Sequence, residues 1–80
     1  VPTVYRYKGY RFFFYSNEGW PPELPHIHVR HGERVAKFWL NPVELASAWG
    51  MSATELNELQ KVIQEQHEDL QRAWHDFFRR

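Results

Sequence analysis

The sequence predicts an α+β fold: two β-hairpins forming a small, mostly antiparallel sheet, then a short and a long α-helix packed on it, in the order ββββαα. Three observations point there. In the first half, short apolar runs alternating with period two come in pairs, each pair split by a glycine-containing turn. The second half opens twice on a helix-capping pattern, at Asn41-Pro42 and at Ser52. From Leu56 onward an apolar stripe recurs at helical spacing.

Residues 3–7 and 10–16 read as strands joined at Lys8-Gly9, where glycine supplies the positive φ of a two-residue hairpin turn. With Tyr7 opposite Tyr10, Tyr5 faces Phe12 and Thr3 faces Phe14, an aromatic side read as core. The other side carries Arg6 opposite Arg11, with Val4, Phe13 and Tyr15. Residues 17–25 hold three prolines and make a stiff loop, with Trp20 expected to pack on the sheet. Residues 26–31 and 34–40 form a second hairpin about Gly32-Glu33. Its pairs are Ile27/Phe38 and Val29/Ala36 on one face, and His26/Trp39, His28/Lys37 and Arg30/Val35 on the other. Asn41 as N-cap, Pro42 at the first helical position and Glu44 three after the cap predict a short helix ending near Gly50. Ser52 and Glu55 open a second helix over residues 52–78, about 40 Å long at 1.5 Å per residue. Leu56, Leu59, Ile63, Leu70, Trp74 and Phe77 form its stripe.

Eighty residues make one domain, 1–80, with a β-hairpin half over 1–40 and a helical half over 41–80. So short a chain needs a dense core, and an aromatic content of 18% supplies one. There is no cysteine, which excludes disulfides and thiolate zinc sites. No apolar run approaches the roughly 20 residues of a membrane span and no signal peptide is visible, so a soluble cytoplasmic protein without a membrane partner is expected. A net charge of zero argues against strong nonspecific nucleic-acid binding. The charge is split, however. Residues 1–40 hold six Lys/Arg against three acids, and residues 41–80 hold four against seven. That pattern predicts a basic sheet and an acidic helical layer.

The sharpest chemical feature is Pro25-His26-Ile27-His28-Val29-Arg30. On a strand, period two puts His26, His28 and Arg30 in one row. Two histidines so placed can share a metal ion, although spacing fixes no third ligand. They can exchange protons in phosphoryl chemistry, with Arg30 and Lys37 neutralising charge. They can bind phosphate without reacting, or they can be structural histidines beside a proline loop. Spacing leaves these open. Glu18 and Glu23 are the carboxylates best placed to meet the histidines, while His67 and His75 read as helix-surface residues.

Three segments in this order, Phe13-Phe14-Tyr15-Ser16-Asn17-Glu18, Pro25-His26-Ile27-His28-Val29 and Ala36-Lys37-Phe38-Trp39-Leu40, resemble a small bacterial family filed as domain of unknown function 4160. Pro2-Thr3, Pro42-Val43-Glu44-Leu45 and the stretch from Leu70 to Trp74 fit it too. Members are often encoded beside a second small domain, of the family filed as domain of unknown function 2442. A pair of the DhiT–DhiA type is described as toxin and antitoxin, the toxin stopping growth through translation. The resemblance therefore implies a toxin of a type II toxin–antitoxin pair, with that small antitoxin and an RNA or translation component as partners. His26, His28, Lys37, Trp39, Tyr15 and Glu18 match the family motif. Where members carry a histidine after Ser-Asn-Glu, this chain has Gly19-Trp20.

Taken together, His26, His28 and Lys37 are the expected catalytic or phosphate-contacting groups. Arg30, Trp39, Tyr15 and Glu18 are the expected substrate contacts. No metal and no cofactor is expected. Whether the face is catalytic stays open, the nearest enzymatic reading being a metal-independent, ribonuclease-like activity. The alternatives are a non-catalytic protein-binding or antitoxin-like regulatory module, and, more remotely, a metal-dependent activity through His26 and His28.

Overall fold

A computed structural model describes residues 3–15 and 23–78. Five strands form one antiparallel sheet in sequence order: β1 (Thr3–Tyr7), β2 (Tyr10–Phe13), β3 (His26–His31), β4 (Arg34–Leu40) and β5 (Val43–Trp49). Two helices follow, α1 (Ala53–Glu65) and α2 (His67–Phe77). The class is α+β, as predicted. Trp20, Glu18 and most of the proline loop lie outside the described residues.

Both predicted hairpins are present. Lys8 and Gly9 both take positive φ, 47° and 84°, the type I′ geometry that matches strand twist. Tyr7 pairs with Tyr10, Arg6 with Arg11 and Tyr5 with Phe12. The expected Thr3/Phe14 pair does not form. A register shift between Thr3 and Tyr5 puts Thr3 opposite Phe13, and β2 ends there. In the second hairpin every predicted pair is found, from His26/Trp39 to His31/Arg34.

The short helix expected over 41–50 is instead β5. Asn41 and Pro42 make the turn that leads β4 back on itself, with Leu40 opposite Val43 and Val35 opposite Trp49. Leu, Ala and Ser tolerate either conformation, so the open edge of β4 decides the outcome by offering a full ladder of backbone hydrogen bonds. The sheet thus runs to Trp49, and the boundary between sheet and helices falls at Gly50 rather than at residue 40. The single long helix is also corrected, because it breaks at Gln66. There the apolar stripe lapses between Ile63 and Leu70, where Gln66 and His67 supply no apolar side chain, and the chain turns so that Leu70 and Trp74 reach the core.

Ser52 caps α1 as the sequence implied. Its hydroxyl accepts from the Glu55 backbone N–H at 3.1 Å, and the Glu55 carboxylate accepts from the Ser52 N–H at 3.3 Å. The core lies between one sheet face and the helices. Phe12, Phe14, Ile27, Val29, Phe38 and Leu40 meet Leu59, Val62, Ile63, Leu70 and Trp74, and each such side chain contributes roughly 1.5–3 kcal/mol on full burial. Polar contacts fasten the hairpin ends to α1. Tyr10 and Arg34 both donate to the Glu55 carboxylate, while Tyr7 donates to Glu58 at 2.7 Å. The Tyr10 hydrogen bond, helped by the Ser52 amide and Arg34, holds the Glu55 carboxyl below its ordinary pKa, and the same bond raises Tyr10. Among the described residues, no helix is long and apolar enough to cross a membrane.

Candidate functional site

The second face of the sheet, which the helices leave uncovered except where Trp74 of α2 reaches His26, is assembled by the register. Arg6, Arg11, Arg30, Val35 and Trp49 make one row across all five strands. Phe13, His28, Lys37 and Ser47 make the next, and His26, Trp39 and Glu44 the one after. A depression of about 390 Å³ opens on this face, lined chiefly by Phe13, Tyr15, His28, Val35, Lys37 and Trp49. Trp49 is 66% exposed and Tyr15 41%. Four aromatic residues thus alternate with five cations or potential cations: Phe13, Tyr15, Trp39 and Trp49 with Arg6, Arg11, His28, Arg30 and Lys37.

His28 is half-buried in the floor of this depression. Its ring stacks on Phe13 at 5.6 Å between centroids and meets Tyr15 edge-on at 4.6 Å. Two aromatic neighbours fix the imidazole plane, and Lys37 is its cross-strand partner. The Lys37 ammonium lies over the Trp39 ring at 4.8 Å, which steers it across the sheet surface.

His26 occupies a different environment. It is fully buried, although it shares the face by alternation. Its Nδ1–H donates to the Leu24 carbonyl at 2.8 Å, which fixes the tautomer, and its ring packs against Trp74 of α2 at 4.7 Å and against His28 at 5.2 Å. His26 is thus enclosed and is not exposed on the face beside His28. Tyr15, His28, Lys37 and Trp39 are therefore brought together, Arg30 sits one row away and exposed, and Glu18 lies outside the described residues. His31 turns to the helix side, where it accepts from Arg34 at 2.9 Å through Nδ1. Among the described residues, no three His, Asp or Glu side chains come together as a metal-binding group.

Trp49, Phe13 and Arg11 belong to this face and were not anticipated as site residues. Reading 41–50 as a helix removed Trp49 from the sheet. The signal for Arg11 was in the first hairpin, where alternation aligns it with Arg6 on the face opposite the aromatic core.

No curated protein and no solved structure matches the chain. A family model described as Domain of unknown function (DUF4160) matches residues 9–75, which span β2 to α2 and include every described residue of the depression. The chain belongs to that family.

Proposed function

We propose that this chain is the toxin of a type II toxin–antitoxin pair, acting in the cytoplasm on RNA or on the translation machinery through the open sheet face. The observation that carries the reading is the interleaving of aromatic rings, Tyr15 and Trp49 exposed among them, with cations across adjacent strands, around a depression with a histidine in its floor. Single-stranded RNA is bound by that combination: bases stack on aromatic faces while cations follow the phosphates. His28 is the acid–base group, Lys37 neutralises phosphate charge beside it, and Tyr15, Trp39 and Trp49 offer stacking surfaces. His26 acts through His28 by holding its ring. The resemblance to toxin-encoding pairs supports the same assignment, with a small antitoxin of the type filed as domain of unknown function 2442 neutralising the protein by covering this face or gripping the helices.

A second reading, a non-catalytic protein-binding module, draws on β5. This edge strand carries one charge, Glu44, and exposes Leu45 toward one face and Trp49 toward the other, an apolar edge suited to a protein partner. Induced expression in a bacterial host separates the two. The toxin reading requires growth arrest by the wild type and normal growth with equally soluble His28→Ala/Lys37→Ala protein. Undisturbed growth with soluble wild-type protein would contradict it and leave the binding module. Mapping RNA ends after induction then distinguishes cleavage from blockade.

A further inference from the structure

Beyond the histidine depression, the row Arg6, Arg11, Arg30 places three guanidinium groups side by side on adjacent strands of one face. Like charges directly opposite one another in a sheet are destabilising, and none of these arginines is paired with a carboxylate among the described residues. The Arg11 Nε is buried without a hydrogen-bond partner there, its guanidinium lying over Phe13 at 5.2 Å. Arg30 Nε donates to the Gly32 carbonyl at 3.1 Å, which holds that side chain toward the hairpin turn. Between the two turns opens a shallow cleft of about 380 Å³ lined, among the described residues, by Gly9, Arg11, Arg30 and Gly32. Arg11 and Arg30 supply its cationic lining, and Gly32, where an added Cβ would meet nothing within 4 Å, leaves one side of it clear. This is the chemistry that receives a phosphate, which accepts paired N–H bonds from planar guanidinium groups.

We propose that this cleft is a phosphate site, and that it seats a backbone phosphate of a single-stranded RNA next to the one at His28 and Lys37. Arg30 and His28 are two residues apart on β3, about 6.6 Å at roughly 3.3 Å per residue. That distance suits one nucleotide step of an extended strand. The proposal rests on the RNA reading above and adds the direction of the strand: the backbone runs from the hairpin turns toward the depression, with bases turned to Trp49 and Tyr15.

The test has two arms. In the first, the affinity of wild-type protein for a single-stranded RNA oligonucleotide is measured against salt concentration and compared with Arg30→Gln and with Arg11→Gln/Arg30→Gln. Each phosphate contact contributes about 0.7 to the slope of log affinity on log salt for single strands. The slope should become shallower by about 0.7 in the double variant, which empties the one phosphate site, and by most of that amount in Arg30→Gln. Melting temperatures should hold or rise, because like-charge repulsion is relieved. Exposed Arg30 carries the test alone if the double variant does not fold. In the second arm, inorganic phosphate titrated into the wild type should shift the backbone amides of Gly9 and Gly32, and should not shift them in Arg30→Gln. RNA binding with an unchanged slope would overturn this proposal and leave the RNA reading standing. Amide shifts with inorganic phosphate but no RNA binding would uphold the anion site and overturn the RNA strand in it. Neither response would overturn both.

Discussion

His26 and His28, one residue apart, illustrate how a shared strand face does not imply a shared role. His28 is half-buried between aromatic rings, whereas His26 is fully buried, with Trp74 over it and its Nδ1 proton committed to a carbonyl. Replacing His26 by Ala removes a fully buried ring and its hydrogen bond, a loss of about 3 kcal/mol. At about 4–8 °C per kcal/mol for a domain this size, the melting temperature should fall by at least roughly 10 °C. His28→Ala should abolish growth arrest with far less effect on melting. Thermal unfolding of the two purified variants checks the contrast. The row of histidines was legible from alternation. The burial of His26 was not, because Trp74 reaches it from the far end of the chain. Glu55 makes a second residue-scale prediction. Its folded pKa lies below the ordinary 4.5, so the stability it contributes is present above that pH and is lost as pH falls through the folded value. Denaturant unfolding measured from pH 6 to pH 3 should show an acid-side loss for the wild type that is smaller in Glu55→Gln.

At the scale of elements, hairpin register was readable because period-two patterning and a glycine turn constrain it together, and all the β3–β4 pairs follow from those two facts. The fate of residues 43–49 was not. Asn41-Pro42-Val43-Glu44 satisfies a helix-start pattern, and only the open edge of β4, a tertiary circumstance, decides against it. The consequence for the candidate site is direct, since β5 delivers Trp49 to the depression. Trp49 is mostly exposed, so Trp49→Ala should alter stability by no more than about 0.5 kcal/mol. A stacked base is worth about 1–3 kcal/mol, so the same change should weaken single-stranded RNA binding by roughly 5–150-fold. Equilibrium binding and thermal melting of one preparation test both halves. Ser52→Ala should show the reverse pattern: a loss of about 1 kcal/mol from the α1 cap with RNA affinity unchanged.

Across the whole molecule, the neutral net charge conceals a division by face. Arg6, Arg11, Arg30 and Lys37 lie on the open side of the sheet, while Glu65, Glu68 and Asp69 are exposed on the helices. Such a dipole orients a polyanion toward one face and away from the other, so a zero net charge does not speak against RNA for a protein that presents only that face. The central claim, that the open sheet face is the functional surface, is tested most directly by following backbone amides as a single-stranded RNA oligonucleotide is added to the folded protein. The expected result is a set of shifts on β2 to β5 centred on His28, Lys37 and Trp49, with α1 and α2 unmoved. Shifts confined to the helices, or none at saturating RNA, would contradict it.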